Sequence, residues 1–264
     1  MFSRFANFEW FQLEYLRSRE KWLRHTSIIF LVLYIIFGCI VVSGCTSSSV
    51  SELNIAKLTY TATEAAMKES PSGVTKLEVN MGYFASCIVI HTNDSVSSTS
   101  CSTNETTILL ANSNQFDQTQ VTNADLFNFM VGTAKRFRVR CMDPYSLIVA
   151  VILSFICVVS FAFTSPVTAN HMYKYAAGLS YISFTLSLVS AIWLQTNITT
   201  ATGIMNRMAD QYFTLSATRG SVDNGLLWAG VAMQLSASIV TGLLGVLGQQ
   251  IEEVEEDLGL DEKI

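Results

Sequence analysis

Six cysteines and three histidines are the side chains best able to form bonds, hold a metal or move a proton. Their spacing narrows what they can do. No Cys-x-x-Cys pair occurs, and His25, His91 and His171 are far apart in the chain, so a zinc site, which needs about four such ligands converging, is not expected. Gly-x-Ser-x-Gly, the phosphate-binding glycine loop and His-Glu-x-x-His are all absent, so no catalytic residue, cofactor or metal ligand is assigned. With 16 basic against 21 acidic residues, the chain also lacks the basic face of a nucleic-acid binder.

The elements that position these residues read as membrane spans. Half the residues are apolar and only 14% are charged, against roughly a quarter in a soluble domain. Four stretches free of Asp, Glu, Lys, Arg and His are long enough to cross a hydrocarbon core of about 30 Å: Thr26–Gly44, Tyr145–Thr164, Tyr175–Gln195 and Gly225–Gly248. Pro166, which has no N–H to continue a helix, closes the second. The expected architecture is an integral membrane, mainly α protein, a four-helix bundle whose first loop forms a small disulfide-stapled extracellular sheet.

Orientation follows from Arg17, Arg19, Lys21 and Arg24, which precede the first span and by the positive-inside rule keep residues 1–25 in the cytosol. Residues 45–144 and 196–224 then lie outside, and the tail 249–264 returns to the cytosol. Lys135, Arg136, Arg138 and Arg140 oppose this at the outer end of span two, but long loops largely escape the charge rule. The sequons at Asn93, Asn104 and Asn197 all fall in the outer segments, which makes them glycosylation candidates. Val42-Ser43-Gly44-Cys45 has the look of a lipoprotein cleavage box, but the charged region of residues 1–25 before it is long for a cleaved signal.

Cys39 and Cys157 lie inside spans, where a thiol behaves as a small apolar residue. Cys45, Cys87, Cys101 and Cys141 lie outside, an even set in an oxidising compartment that admits three pairings. We favour the local pair Cys87–Cys101, which leaves Cys45 to pair with Cys141 at the membrane surface. Lys76–Met81 alternates polar and apolar and runs on into Gly82–Ile90, and Arg136–Arg140 alternates too; all read as strands, the last a one-sided basic stripe. Ala62–Glu69 reads as a short helix, and Asn112–Ala124 is uninformative.

Phe2–Leu16, rich in aromatics, reads as a helix lying in the inner interface beside the basic Arg17–Arg24, in contact with membrane lipids. Trp22 and Tyr175 would mark the inner aromatic belt, Trp193, Trp228 and Tyr145 the outer one. Ala232, Ser236, Ser238, Gly242 and Gly245 repeat small residues at the spacing that lets helices approach closely, within the bundle or against a partner's helix. The acidic tail reads as a solvated continuation of span four and lacks EF-hand spacing.

Gly44-Cys45 at the end of span one, a serine-rich turn, then Gly82-Tyr83-Phe84-Ala85-Ser86-Cys87 followed by Cys101 resemble the claudin-like superfamily. Within it the chain is most similar to the fungal family of pheromone-induced calcium regulators and membrane-fusion proteins. That family's mark is glycine, two bulky apolar residues, glycine, any residue and cysteine, with a second cysteine further on. Gly82, Tyr83, Phe84, Cys87 and Cys101 occupy it, and Ala85 stands where the family usually has glycine. The resemblance implies a non-catalytic plasma-membrane protein of cell–cell contact and mating, regulating calcium influx and membrane fusion through a separate channel. Four-span proteins of fungal cortical membrane domains share the layout. They supply the second reading: an accessory or scaffold subunit of another polytopic complex such as a calcium channel or cell-wall synthase. Either leaves a homo-oligomer open.

Overall fold

The four uncharged stretches lie within four long helices in a computed structural model of the chain, which describes residues 2–62, 74–92, 95–103, 132–163, 169–205 and 213–257. We number the helices α1 (Phe2–Ser43), α2 (residues 132–141), α3 (Tyr145–Ala162), α4 (Ala169–Met205) and α5 (Ser221–Asp257). Leu13–Ser43, Tyr145–Ala162, His171–Ile204 and Ser221–Glu256 are each long and apolar enough to cross a membrane. No more than 33% of the apolar window of each is buried inside the chain, and Ile29, Ile152, Phe155, Ile182 and Ile239 are exposed. Helices that turn their apolar faces outward need hydrocarbon, not water, around them.

Contacts divide the chain into two units. The first comprises Met1–Phe37, Ser146–Val189 and Ala229–Ile264, and its described residues are helical apart from the end of α3. Its apolar core draws on all four long helices: Leu31, Cys157, Phe161, Tyr173, Ala176, Ala237 and Leu244. Beside this core runs a ladder of polar side chains. Gln234, fully buried, accepts from the Ser154 hydroxyl at 3.2 Å and donates to the Ser180 carbonyl at 3.2 Å. Ser154 and Ser183 bond to each other at 2.9 Å, Ser238 donates to the Ser180 carbonyl at 3.0 Å, and Tyr34 bonds Ser187. Each bond ties one helix to another where lipid offers no competing water, so these hydroxyls act as interhelical glue.

Two expectations change in this unit. Residues 2–43 form one unbroken helix, so Phe2–Leu16 continues span one; a helix lying in the interface plane would need a break that is not there. A Cβ at Gly242 or Gly245 would meet nothing within 4 Å among the described residues, so neither packs closely against them. Gly230 does that instead: its missing side chain faces Tyr34 and Phe37 at 3.6 and 3.8 Å. The described part of the acidic tail continues α5, and Glu255 pairs with Arg17 at 2.6 Å.

The second unit, Gly38–Tyr145 and Ser190–Trp228, carries a five-stranded antiparallel sheet. The strands are β1 (Ala56–Ala62), β2 (Val74–Met81), β3 (Ser86–Thr92), β4 (Ser95–Ser102) and β5 (Phe213–Arg219), in spatial order β4-β3-β2-β1-β5. The first loop does not build this sheet alone. β5 comes from the segment between α4 and α5 and pairs with β1 from Ala56↔Arg219 to Ala62↔Phe213. One face buries Leu58, Tyr60, Val79, Met81, Ile88, Ile90 and Ala217; the other carries Lys57, Thr59, Lys76, Glu78, Asn80 and His91. That two-faced alternation is what period-2 strands produce. Arg136–Arg140 is a correction: it is helix, because Ala134, Phe137 and Cys141 recur at helical spacing and the first two are buried. The turn of 100° per residue separates Arg138 from Arg136 and Arg140, so there is no one-sided stripe, and Arg138 donates to the Phe84 carbonyl at 3.2 Å. Of the expected helix Ala62–Glu69, Ala62 ends β1 and the remainder lies outside the described residues, as does Asn112–Ala124.

Candidate functional site

In the second unit the residues that carry the resemblance come together. α1 ends at Ser43, and the chain turns at Gly44 and Cys45; Cys45 has φ 61°, the only positive φ at a non-glycine residue among the described residues. A side chain in the left-handed region costs free energy that surrounding contacts must offset. Here the Cys45 thiol is fully buried and donates to the Leu53 carbonyl at 3.3 Å. Burial pushes that thiol up to about 12, and the negative charge of Asp223 adds to the effect.

Gly82 opens the β2–β3 hairpin, its N–H donating to the Ala85 carbonyl at 2.9 Å. A Cβ there would stand 2.2 Å from the Gly44 carbonyl oxygen, so only a bare Cα lets the hairpin seat on the Gly44–Cys45 turn. Tyr83 and Ala85 are buried and Phe84 is half-exposed. Cys87 and Cys101 are register partners on β3 and β4 with sulfurs 2.07 Å apart, and the Cys87 sulfur lies 3.3 Å from the Cys45 carbonyl oxygen. Asn80 donates from the sheet to the Ser51 carbonyl at 2.9 Å, tying down the same turn.

Beneath the turn sits Asp223, in the first turn of α5 and 1% exposed. Neither of its carboxylate oxygens has a hydrogen-bond partner among the described residues. It lines a small cavity, about 10 Å³, with Val41, Ile55, Leu194, Gln195, Ile198, Arg219 and Asn224. A second buried carboxylate, Glu78, is fully engaged. Burial would raise it, but hydrogen bonds and charge from Lys57 and Lys76, each 2.6 Å away, hold it down at about 2. His91 approaches the same carboxylate at 3.5 Å.

The other expected site residues are scattered. Cys45 and Cys141 are both free thiols, which corrects the second pairing: Cys45 is turned inward on Leu53, while Cys141 is the last residue of α2. Asn197 lies inside α4, which runs ten residues beyond Gln195 to Met205, and its Nδ2, the atom a glycan would need, donates to the Cys141 carbonyl at 3.4 Å. Asn93 and Asn104 lie outside the described residues. Among the described residues no group of three or more His, Cys, Asp or Glu converges as a metal site.

Sequence reasoning overlooked Asp223 and Gln234. Asp223 stands two residues before the uncharged stretch and so counted as loop. Gln234 is neutral and left that stretch intact, though Ser180, Ser183, Ser187 and Ser190 fall at helical spacing and mark the polar face it meets.

Four membrane-length helices with a small antiparallel sheet define a multi-pass membrane protein. A family model described as "Ca2+ regulator and membrane fusion protein Fig1" matches residues 60–246, taking in the Gly82–Cys87 hairpin, Cys101, α3, α4 and the greater part of α5 with Asp223. The chain belongs to the Fig1 family, one of calcium regulation and membrane fusion rather than of catalysis. Among curated proteins nothing matches it.

Proposed function

We propose that this chain is a claudin-like tetraspan of the plasma membrane that regulates calcium influx and membrane fusion at mating contacts by modulating a separate channel. In this reading both termini are cytosolic, the sheet is extracellular, and a Cys87–Cys101 disulfide staples its β3–β4 edge. The observation that carries it is the Fig1 family match across residues 60–246. The uncharged stretches support an indirect role, because ion paths through membranes are lined by ionisable side chains or exposed carbonyls. Cells lacking the chain, confronted with a mating partner, should show a blunted rise in cytosolic calcium and stall with membranes apposed but unfused. Normal calcium entry and normal fusion would overturn the reading.

A second reading, an accessory subunit of another polytopic complex, is favoured by one feature. Gly242 is exposed, with open space where its side chain would be, and Ile239, Leu243 and Val246 beside it are exposed too. Such a strip on α5 suits a partner's helix as well as lipid. Steady expression in growing cells, with a cell-wall synthase co-purifying in mild detergent, would favour this reading over the first.

A further inference from the structure

The geometry points to a phospholipid site in a groove between α1 and α5, with the headgroup phosphate held by Arg19. The groove lies wholly within the first unit and has a volume of about 730 Å³. That falls inside the range of roughly 300–1,000 Å³ typical of pockets for small molecules and cofactors. Tyr15, Ser18, Arg19, Trp22 and Leu23 form its α1 wall, at the i, i+3, i+4, i+7 and i+8 spacing of a single helical face. Leu243, Val246, Leu247 and Gln250 repeat that spacing on α5.

The two ends of the groove differ in chemistry. Leu243, Val246 and Leu247 belong to the uncharged stretch Gly225–Gly248, so that end lies at the depth of acyl chains. Arg19 stands seven residues before Thr26, where the uncharged stretch of α1 begins. That is about 10 Å along the axis, which puts it outside the hydrocarbon and among headgroups. Ser18 and Gln250 line the groove beside it and are exposed. Trp22 lies between the two ends, where an indole, apolar in body and polar at one tip, suits the boundary of hydrocarbon and headgroup. An amphiphile with its tail toward Leu243 and its head at Arg19 matches this order of linings.

Charge selects a phosphate head over a neutral one. Arg17 is engaged by Glu255 at 2.6 Å, whereas Arg19 has no ion-pair partner among the described residues. The Arg19 guanidinium lies 4.9 Å from the centre of the Tyr15 ring, a contact that holds it at the groove without neutralising it. Guanidinium groups take phosphate oxygens through paired N–H donors, and the Ser18 hydroxyl and Gln250 amide add donors for the remaining oxygens. Ordinary lipid contact would follow the whole apolar surface; this site holds one molecule and depends on one cation.

The full-length protein, purified in a non-ionic detergent, is titrated with dioleoyl phosphatidic acid or with dioleoylglycerol, which has the same chains and no phosphate. Bound lipid is counted by native mass spectrometry. The wild type should retain one phosphatidic acid saturably and bind dioleoylglycerol about tenfold more weakly or worse. Arg19→Gln should weaken phosphatidic acid binding by about tenfold. Lys21→Gln removes the same charge from α1 at an exposed position about 200° around the helix from Arg19, and should leave binding unchanged. Val246→Trp fills the groove from an exposed position with every charge intact, and should weaken binding as well. The chain is measured alone, so the outcome is independent of calcium entry, of fusion and of any partner's helix on α5. Equal binding of the two lipids, tighter binding of cholesterol than of phosphatidic acid, equal losses in Arg19→Gln and Lys21→Gln, or full binding by Val246→Trp would each overturn the inference.

Discussion

At the scale of single residues, the junction depends on atoms that are missing. Gly82 and Gly44 face each other across a gap that admits no methyl group, and Cys45 holds a backbone conformation that costs free energy in order to keep its thiol buried. Gly82→Ala would put a carbon 2.2 Å from the Gly44 carbonyl oxygen, a backbone atom that cannot swing aside. The hairpin would have to lift off the turn. We expect a loss of about 2 kcal/mol or more, within the range for overpacking and strain at special positions, read as a fall in Tm of the purified protein. A Gly82→Ala protein as stable as the wild type would mean that the hairpin does not sit on the turn.

At the scale of elements, the sheet and the bundle are held by opposite means. Glu78 sits on the polar face of β2 between Lys57 and Lys76, with its carboxyl lowered from 4.5 to about 2. A group whose folded value is depressed stabilises the fold above its unfolded value, and that contribution disappears as pH falls from about 4.5 through about 2. Glu78→Gln should therefore cost stability at neutral pH and lose less than the wild type over that acid range, which a pair of urea titrations at each pH will reveal. In the bundle, Gln234 joins α5 to α3 and α4 through neutral hydrogen bonds that acid does not touch. Gln234→Leu should destabilise by about 1 kcal/mol, typical of interhelical bonds in lipid, with no pH dependence of its own.

Elements also differ in how far the sequence discloses them. The long helices were legible because a run of apolar residues without charge has few other uses, and β2 because Lys76–Met81 alternates cleanly. Only part of the rest could be read. Ser95–Ser102 is serine-rich and becomes a strand because β3 offers it an edge, a tertiary cause that no local pattern records. Phe213–Arg219 joins β1 from a distant part of the chain in the same way. Arg136–Arg140 alternates over too few residues to separate a strand from one turn of helix, and the burial of Ala134 and Phe137 decided it. The motif residues Gly82 and Cys87 could be picked out, but the reason for Gly82, the carbonyl of Gly44, exists only once the chain is folded.

At the scale of the whole molecule, the question is whether a protein tied to calcium carries the ion itself. Among the described residues Asp223 is the only charged side chain buried within a candidate span, and it lies in the first turn of α5, not midway along it. The polar ladder of Tyr34, Ser154, Ser183, Ser187, Gln234 and Ser238 is made of neutral groups whose hydrogen bonds are spent on each other and on helix carbonyls. Such groups hold helices together but offer an ion little to replace its hydration shell. The purified chain reconstituted alone in liposomes should therefore pass no calcium above the leak of empty vesicles, while calcium entry in cells should depend on a second membrane protein. Gly242→Leu places a large side chain on the open strip of α5, where a Cβ would meet none of the described residues within 4 Å beyond its own helix turn. It should leave the unfolding free energy within about 0.5 kcal/mol of the wild type and yet reduce recovery of that partner from mild detergent. Robust calcium flux from the chain alone would show that the helices conduct, and full partner recovery with Gly242→Leu would move the docking surface off α5.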